Sequence, residues 1–427
     1  MHGQLAAAGF TFTPDPAIAD IIIVNTCSFI EPAVDESVDE ILELAEFKKT
    51  GQCKQFIVAG CLPERFRKDL AESLPEVDAF LGTGAYHKIT QVLKHPPEKG
   101  FCLLPAPVDL PLQTHDTRRI PSTTAMAYLK VTEGCNRHCT YCMIPRLRGA
   151  LRSRTMEDIE VEARHLISSG FKELVIIGQD TGCYGQDLAP NVRPNVQPDV
   201  SLPRLLENIA EISTDIWIRF LYGSPDTTDE RLIRTMAAHE NICPYFDIPI
   251  QHVSSRILKH MGRRYNENDL LHLFDTIREI IPETALRTTI MVGFPGETDR
   301  DFEQMLNFIK TVKFDHLGAF IYSDSEELPS HRLSGHVPEN IAEERHHILM
   351  SAQSEISAEK NQNHIGHIYP VLVEEQMEAG LFAGRSSFQA PEVDGVIYID
   401  STDAVVGEFS DIRITDALEY DLRGKTI

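Results

Sequence analysis

The sequence predicts an α/β protein in three parts: an N-terminal doubly wound α/β domain, a central partial (β/α)6 barrel, and a small C-terminal antiparallel β-barrel. Short apolar runs alternate with amphipathic stretches over the first hundred residues, and six further units of this kind follow up to about residue 325. Beyond His367 the pattern changes to short alternating segments punctuated by glycine, which is typical of an antiparallel barrel. At 427 residues, the chain is long enough for two or three domains.

The N-terminal domain is predicted over residues 1–103. Two apolar runs there are typical of buried parallel strands, and two stretches carry apolar residues at helical spacing. In chain order these are strand 19–24 (ADIIIV), helix 34–47, strand 55–59 (QFIVA) and helix 64–74. Cys27 and Cys61 each come shortly after one of the strands. Because open α/β sheets bind ligands at the carboxyl ends of their strands, we expect both thiols at a binding edge.

A proline-rich segment separates this domain from the barrel. Six prolines lie between Lys94 and Thr124 and the periodicity fails there, so residues 104–120 are predicted to be a linker. The barrel is predicted over 121–358. Its strand candidates are 125–132, 173–178, 216–221, 244–250, 285–292 and 316–322. Six units cannot close an eight-stranded barrel, so we expect an open barrel with its active site at the carboxyl ends of the strands.

The C-terminal barrel is predicted over 361–427, and it is acidic. From Gly366 to Ile427 the sequence has 12 Asp and Glu but only 4 Lys and Arg. Over the whole chain, 64 acidic residues against 40 basic ones give a formal net charge of −24 at pH 7. Such a charge repels a phosphate backbone. We therefore expect a basic protein as partner, and no direct specific binding of nucleic acid.

The sequence also indicates where the protein resides. No apolar run approaches the roughly 18–20 residues that a membrane span needs, so no membrane association is expected. The start, MHGQLAAAGF, lacks the charged and apolar regions of a signal peptide. Nine cysteines without a disulfide framework are typical of a reducing compartment. We expect a cytoplasmic protein, and nothing in the sequence requires more than a monomer.

Only three of the nine cysteines are clustered. The segment 133–154, EGCNRHCTYCMIPRLRGALRSR, places Cys135, Cys139 and Cys142 at C-x3-C-x2-C spacing after the first barrel strand. Three thiolates on one short loop can hold three irons of a 4Fe–4S cluster and leave the fourth iron open to S-adenosylmethionine (SAM). The alternatives are a zinc knuckle or incidental cysteines. Zinc needs a fourth Cys or His at matching spacing, and His138 lies in the wrong place for a closed tetrahedral site.

This segment resembles the signature of the radical SAM enzymes, with Tyr141 as the aromatic residue before the last cysteine. CTYCMIP followed by RGALRSR resembles the methylthiotransferase branch, and VNTC (24–27) and AGC (59–61) resemble the N-terminal domain of that branch. The C-terminal barrel is similar to its TRAM domain. Four segments resemble the RimO type within the branch: GQDTGCYG (178–185), YFDIPIQH (245–252), APEVDGVIYI (390–399) and ITDALEYDL (414–422).

The resemblance implies a transferase that adds a methylthio group to the β-carbon of an aspartate in ribosomal protein S twelve, free or within the small ribosomal subunit. SAM would serve both as methyl donor and as source of a 5′-deoxyadenosyl radical. An electron donor would be a further partner. Enzymes of this type use two 4Fe–4S clusters, one for the radical and one in the N-terminal domain for the sulfur.

The resemblance also assigns roles to residues of this sequence. They are Cys135, Cys139 and Cys142 as ligands of the radical cluster, Cys27 and Cys61 as ligands of the second cluster, and Tyr141, Gln179, Asp180 and Gly293 as residues near SAM. For Gly293, an ordinary turn glycine after a strand is an equal alternative. Four loop arginines, at 146, 148, 152 and 154, are expected either to contact acidic cofactor groups or to be solvated.

The sequence departs from the family at the second cluster, which the family holds with three cysteines. The third should follow an earlier strand in an LGC-like turn, and this sequence has neither. We therefore expect that the start at Met1 is too late or that the gene is truncated, so that the extreme N-terminus is lacking. Cys53 is a poor substitute, because it precedes a predicted strand and so belongs to the opposite edge of the sheet.

Two other functions are open at this point. A related enzyme methylthiolates an adenosine of tRNA, but it should carry a basic C-terminal barrel, because affinity for RNA depends largely on phosphate contacts. The second alternative is a degenerate, ribosome-associated binding protein. The unmatched cysteine favours it, whereas the intact C-x3-C-x2-C motif argues against it.

Overall fold

The structure is a computed structural model that describes residues 1–95, 98–106, 112, 114, 125–188 and 199–427. Its contacts divide the chain into two compact units, each described here by itself. Unit 1 comprises Met1–Ile120, Glu133–Arg152 and Ser323–His331, and unit 2 comprises Pro121–Thr132, Ser153–Tyr322 and Arg332–Ile427. Most of the predicted linker, 104–120, lies outside the described residues.

Unit 1 contains a parallel sheet of four strands, which confirms the α/β fold predicted for the N-terminal part. The strands pair in chain order: β1 (Ile21–Thr26), β2 (Gln55–Gly60), β3 (Ala79–Gly82) and β4 (Phe101–Leu103). The helices before and between them are α1 (His2–Ala7), α2 (Glu31–Ala45), α3 (Phe47–Thr50), α4 (Cys61–Ser73) and α5 (Ile89–Lys94).

Helices cover both faces of this sheet, because residues 56–59 of the central strand β2 are apolar and buried on both faces. Phe56 and Val58 of β2 pack with Ile41 of α2, whereas Ile57 and Ala59 belong to a second core cluster with residues of α5. Successive side chains of a strand point to opposite faces. A strand that is apolar throughout is therefore buried from both sides, as in other parallel sheets.

Unit 2 contains the six predicted barrel strands. In chain order the strands of the central region are β5 (Met126–Lys130), β6 (Thr132–Glu133), β7 (Arg152–Ser153), β8 (Glu173–Ile177), β9 (Trp217–Phe220), β10 (Tyr245–Asp247), β11 (Ala285–Val292) and β12 (His316–Ile321). Six of them are parallel and pair as β5-β8-β9 and β10-β11-β12. A bridge between Ile218 and Ile242 connects the two groups. The partial (β/α)6 barrel is thereby confirmed.

Helices pack against the outer face of these strands. Helix α6 (Ile144–Arg148) belongs to unit 1. The helices of unit 2 are α7 (Met156–Ser168), α8 (Leu202–Ala210), α9 (Glu230–Ala238), α10 (Ser255–His260), α11 (Glu267–Ile280), α12 (Asp299–Val312) and α13 (Glu339–Gln362). Outward side chains such as Leu174, Ile218 and Leu286 join them in the largest core cluster. Of the helices in the described part of the chain, none combines the length and apolar character that a membrane span requires.

The C-terminal strands close into a small barrel. They are β13 (Ile368–Glu378), β14 (Leu381–Arg385), β15 (Ile397–Asp400), β16 (Phe409–Ala417) and β17 (Leu422–Thr426), in the order β13-β14-β15-β17-β16. Inward side chains, among them Val371, Ile397 and Ile412, fill its core. The predicted antiparallel barrel is confirmed, with one exception: β15 and β17 pair in parallel.

A buried ion network joins this small barrel to the inner face of the central one. Arg219 Nε donates to Glu173 Oε1 at 2.7 Å, and Arg385 Nη2 donates to Glu173 Oε2 at 2.6 Å. All three side chains are buried almost completely. Burial by itself raises the pKa of Glu173, but the two guanidinium groups outweigh it, so the pKa lies below that of an ordinary glutamate. The carboxylate is therefore held in its charged form.

Residues 386–394, here called the lumen loop, connect β14 to β15 and enter the interior of the central barrel. The strand residues that hold the loop are Arg219 (to the Ser387 carbonyl, 2.8 Å), Tyr245 (to Asp394, 2.6 Å) and His316 (to the Phe388 carbonyl, 2.9 Å). Their strand neighbours Ile218, Phe246 and Leu317 pack with the outer helices. Because successive side chains of a strand alternate between its faces, the three residues that hold the loop point inward. The C-terminal barrel thus supplies part of the lining of the barrel lumen.

Candidate functional site

The cysteine loop, residues 133–152, lies in unit 1. Its two ends are held together, because Cys135 N donates to the Gly149 carbonyl at 3.1 Å and Leu151 N donates to Asn136 Oδ1 at 3.0 Å. The chain between these contacts forms a closed loop that contains all three clustered cysteines.

Of the three clustered cysteines, Cys135 is buried, and Cys139 and Cys142 are half-buried. Backbone amides donate to two of the sulfur atoms: Arg137 N to Cys135 Sγ and Ile144 N to Cys142 Sγ, both at 3.4 Å. Hydrogen bonds to sulfur stabilise thiolates and tune iron–sulfur clusters. The donor set therefore fits a 4Fe–4S cluster held by three protein ligands.

These thiols do not form a site for a single ion. Across residues 1–95, 98–106, 112, 114, 125–188 and 199–427, no three His, Cys, Asp or Glu side chains are arranged to hold one metal ion. A closed zinc site requires four ligands that converge on one point. A four-iron cluster makes a different demand, because each thiolate binds a separate iron. Cys135, Cys139 and Cys142 are therefore one ligand short of a closed zinc site, whereas three thiolates suffice for three irons of a cluster.

Tyr141, predicted to lie near SAM, is buried on the cysteine loop. Met143 and Leu147 of the same loop pack against Leu328, and Cys61 contacts this small apolar cluster. Cys61 and the cysteine loop therefore belong to one packed region of unit 1.

The register of the sheet brings Cys27 and Cys61 side by side. Thr26 and Gly60, the last residues of β1 and β2, are register partners, so the two cysteines leave adjacent strands at the same edge. Thr26 Oγ1 donates to the Ala59 carbonyl at 2.8 Å and ties the two turns together. The structure thus places both thiols at the carboxyl edge of the sheet.

Only glycine fits between Ala59 and Cys61. Gly60 has a φ of +114°, and a Cβ there would lie 2.4 Å from the Thr26 carbonyl oxygen. By contrast, Cys53 is buried ahead of the amino end of β2. It therefore lies away from the edge where Cys27 and Cys61 meet.

Arg148 connects the cysteine loop to Cys61. Its Nη2 donates to Cys61 Sγ at 3.6 Å, and its Nη1 lies 3.5 Å from Glu133 Oε1. Burial raises the pKa of the Cys61 thiol, and the charge of Arg148 opposes this rise. Burial also raises the pKa of Tyr86, which lies near the same guanidinium, to about 12. In the sequence, Arg148 is only one of four loop arginines, and nothing marks Tyr86. Both residues are near Cys61 in the structure, but Arg148 is separated from it by 87 positions in the sequence.

The four loop arginines do not form one basic patch. Arg146 pairs with Glu327 at 2.6 Å, whereas Arg154 is buried and pairs with Glu162 at 2.6 Å. The expectation of a solvated or cofactor-binding side chain is wrong for Arg154. Its acidic partners lie on α7, directly after it in the sequence, and neutralise it inside unit 2.

In cluster-free protein, alkylation is expected to reach Cys27 before Cys61. The thiolate is the reactive form. Cys27 is exposed, whereas burial both shields Cys61 and raises its pKa. Arg148→Met removes the charge that opposes this rise, so Cys61 labelling should slow by about tenfold for each unit of further increase in its pKa.

This prediction is checked by timed labelling with iodoacetamide and mass spectrometry of the cysteine peptides, with Cys27 as internal reference. Arg148→Lys keeps a positive charge and serves as the matched control. Equal labelling rates for Cys27 and Cys61 in the unsubstituted chain would contradict the prediction.

The predicted SAM-facing residues of unit 2 lie at the carboxyl ends of barrel strands. Gln179 and Asp180 follow β8 within three residues, with Asp180 buried and Gln179 half-buried. Gly293 directly follows β11. In barrels of this kind, ligands bind at this end of the strands.

Gly293 also has a purely structural reason to be glycine, which agrees with its interpretation as an ordinary turn glycine. Its φ is +75°, and a Cβ there would lie 2.6 Å from the Cβ of Ala342. Its amide donates to Glu297 Oε2 at 3.1 Å, and Arg345 pairs with Glu297 at 2.7 Å. The turn is therefore fixed by packing and by a buried ion pair.

Gly293→Ala is expected to destabilise the protein by about 3 kcal/mol, because a left-handed φ and a clash with Ala342 add to each other. Gly170→Ala is the matched control. Gly170 has a φ of +95° but open space around it, so the cost there should be about 1 kcal/mol. Urea denaturation followed by the fluorescence of the single tryptophan, Trp217, measures both variants. If both variants lose the same free energy of unfolding, the clash with Ala342 contributes nothing to the cost at Gly293.

Comparison of the sequence with protein families gives three matches. The uncharacterized protein family UPF0004 matches residues 1–82, the Radical SAM superfamily matches 129–309, and the TRAM domain matches 365–427. The order of the three matches agrees with the order of the predicted parts.

Relatives are similar over the whole chain, and all three described here bear the name "Ribosomal protein uS12 methylthiotransferase RimO". The protein of Desulfosudis oleivorans (strain DSM 6200 / JCM 39069 / Hxd3) is 51% identical over 427 residues, which are 100% of this chain and 95% of the relative. That of Clostridioides difficile (strain 630) is 46% identical, with 100% and 95% covered. That of Geobacter sulfurreducens (strain ATCC 51573 / DSM 12127 / PCA) is 43% identical, with 100% and 94% covered.

Solved structures show the fold alone. The radical S-adenosylmethionine methyltransferase TsrM from Kitasatospora setae, solved with tryptophan substrate and a SAM analogue, matches at a TM-score of 0.56 and 12% sequence identity. The match covers 79% of this chain and 78% of that chain.

Proposed function

Because the chain belongs to the RimO family of ribosomal protein uS12 methylthiotransferases, we propose that it adds a methylthio group to the β-carbon of an aspartate in uS12. In this reaction a C–H bond of that carbon is replaced by a C–S bond. When bound, a 4Fe–4S cluster and SAM supply the methyl group and the radical that removes the hydrogen atom. The protein is thus a radical SAM transferase.

The cysteine loop is the observation that carries this proposal. Cys135, Cys139 and Cys142 keep the spacing of a cluster loop, and amides donate to the sulfur atoms of two of them. A degenerate binding protein has no need of three cysteines at this spacing on one closed loop. The loop therefore favours an enzyme over the binding-protein alternative.

The proposal gives each predicted residue and segment a role. Cys135, Cys139 and Cys142 bind the radical cluster, and Tyr141, Gln179, Asp180 and Gly293 face SAM. The functional domains are 1–103 (N-terminal methylthiotransferase domain), 104–120 (linker), 121–358 (radical SAM core) and 361–427 (TRAM domain).

A second 4Fe–4S cluster is proposed at Cys27 and Cys61, the two residues that match the family's cysteines in this sequence. The two thiols share one sheet edge, which supports this location. Arg148 places a positive charge 3.6 Å from Cys61 Sγ, and such a charge stabilises a thiolate or another anionic sulfur. Its contact with Cys61 also links the second site to the cysteine loop.

The charge of the chain supports a protein substrate. A net charge of −24, with 12 acidic and 4 basic residues from Gly366 onward, attracts a basic ribosomal protein and disfavours RNA. This argues against the enzyme that modifies tRNA. We propose a monomer that acts on uS12 or on the small subunit in the cytoplasm, and that receives electrons from a separate donor.

The test is a reaction of the anaerobically reconstituted full chain with SAM, a reductant, sulfide and small ribosomal subunits. Mass spectrometry is then applied to uS12 and, in a parallel reaction, to tRNA. We expect one methylthio group on an aspartate of uS12 and none on tRNA. Modification of tRNA alone would overturn the choice of substrate.

A further inference from the structure

The lumen loop carries an exposed carboxylate, Glu392, into the interior of the central barrel. Tyr128 OH donates to Glu392 Oε2 at 3.0 Å. Tyr128 is the third residue of β5, so Glu392 meets a residue in the middle of that strand. Asp394 of the same loop contacts Tyr245, the first residue of β10, and lies 3.4 Å from Arg287, the third residue of β11.

Glu392 also lies close to the carboxyl ends of the strands. Tyr222 follows the last residue of β9 by two positions. Tyr222 N donates to Asp247 Oδ2 at 3.0 Å, and Arg287 connects Asp247 (2.9 Å) to Asp394 (3.4 Å), which is two residues from Glu392. In barrel enzymes the substrate binds at the carboxyl ends of the strands. A residue of the C-terminal barrel therefore reaches the region where this unit would receive a substrate.

The charge of Glu392 is not neutralised by the protein. By contrast, two other carboxylates of the small barrel are paired with arginines. Arg287 Nε lies 3.4 Å from Asp394, and Arg385 binds Glu374. Within the residues that the structure describes, no Lys or Arg side chain lies within ion-pair distance of Glu392, and its only hydrogen-bond donor is Tyr128. The lumen thus presents one carboxylate that is available to an external cation.

The backbone holds this carboxylate in a conformation that side chains rarely adopt. Glu392 has a φ of +68°, and Tyr222 and Gln251, which follow β9 and β10, have φ values of +64° and +65°. These three are among only five non-glycine residues with positive φ in the described ranges. Such conformations persist where the surrounding structure imposes them, and they concentrate at binding sites.

We propose that Glu392 is a specificity-determining residue that binds the ammonium or guanidinium group of a Lys or Arg next to the modified residue of the protein substrate. Tyr222 and Val393, which are 50% and 53% exposed, offer apolar surface to the aliphatic part of that side chain. The inference rests on the proposed function and deepens it. It assigns part of the substrate recognition to the C-terminal barrel, from inside the lumen of the central one.

The test measures methylthiolation of uS12 by the reconstituted full chain with Glu392→Gln and Glu392→Lys. Glutamine keeps the acceptor for Tyr128 and removes only the charge. Because a hydrogen bond between charged groups is worth more than a neutral one, we expect KM for uS12 to rise at least about tenfold for Glu392→Gln, and more for Glu392→Lys. The effect should fall on KM rather than on kcat. Glu375→Gln, an exposed charge removal elsewhere on the same small barrel, is the matched control.

A second set of reactions identifies the bound cation. Each Lys and Arg flanking the modified aspartate of uS12 is replaced by alanine in turn. One of these substrate variants should raise KM for the unsubstituted enzyme and make the enzyme insensitive to Glu392→Gln. This loss of sensitivity is not expected if Glu392 has only a structural role.

The experiment distinguishes failure of the proposed role of Glu392 from failure of the proposed function. If the unsubstituted enzyme modifies uS12 and Glu392→Gln leaves KM unchanged, the role of Glu392 is overturned while the function stands. An equal rise of KM with every uS12 variant would also overturn it. If the unsubstituted enzyme does not modify uS12, the proposed function has failed, and the inference about Glu392 falls with it.

Discussion

Replacing Cys139 with alanine is expected to lower the iron content of the reconstituted protein from about eight atoms per chain to about four. The remaining iron would be that of the second cluster proposed at Cys27 and Cys61. Without the radical cluster no electron reaches SAM, so formation of 5′-deoxyadenosine and of methylthiolated uS12 should fall to background. Cys139 is half-buried and its loop is closed by backbone contacts, so the fold should tolerate alanine there.

The reciprocal variant, Cys61→Ala, should lose the other four irons, keep SAM cleavage and lose methylthiolation. Cys102→Ala, a half-buried cysteine outside both sites, is the matched control and should keep all iron. Iron and acid-labile sulfide are measured per chain. An unsubstituted protein with only about four irons, all lost with Cys139→Ala, would show that Cys27 and Cys61 hold no cluster.

Glu173→Gln is expected to destabilise unit 2 by about 3–5 kcal/mol, because it leaves Arg219 and Arg385 buried next to each other without their shared counter-charge. The matched control is Asp400→Asn. Asp400 pairs with Arg423 at 2.8 Å on the surface, where about half of each side chain is exposed, so this change should cost less than about 1 kcal/mol. Equal costs for both variants would contradict the role of the buried network.

Trp217 provides the measurement, because it is the single tryptophan, lies in β9 and packs against Phe409 of the C-terminal barrel, with the ring centroids 4.6 Å apart. Urea denaturation followed by its fluorescence therefore reports on the junction of the two barrels. The folded pKa of Glu173 is lowered, so its stabilising effect is full above the ordinary glutamate pKa of about 4.3. As pH falls through the folded pKa this effect is lost, and the difference between Glu173→Gln and the unsubstituted protein should shrink.

Much of the fold could be predicted from local patterns. All six barrel strands were predicted near their observed positions, because apolar side chains such as Leu174, Ile218 and Leu286 mark them in the sequence. Strands β3 and β4 were missed. They have four and three residues. Such short segments carry too few residues for a strand pattern to be distinguished from a loop.

The candidate site was predictable only where its residues are close in sequence. Cys135, Cys139 and Cys142 lie within one short segment, so their spacing alone indicates a cluster. Arg148 meets Cys61 across 87 positions, and Arg385 meets Glu173 across 212. No local pattern indicates such pairs, because they depend on how separate elements come together in three dimensions.

The long separation between Glu173 and Arg385 has a consequence for synthesis of the protein. A ribosome makes Glu173 and Arg219 well before Arg385. Until Arg385 and residues 386–394 have been made, Glu173 lacks one of its two buried partners and the inner face of the central strands is uncovered. Partly made chains that expose apolar surface are prone to aggregation, which is one reason why chaperones exist. The interior of the central barrel therefore reaches its final packing only after residues 386–394 have been synthesised.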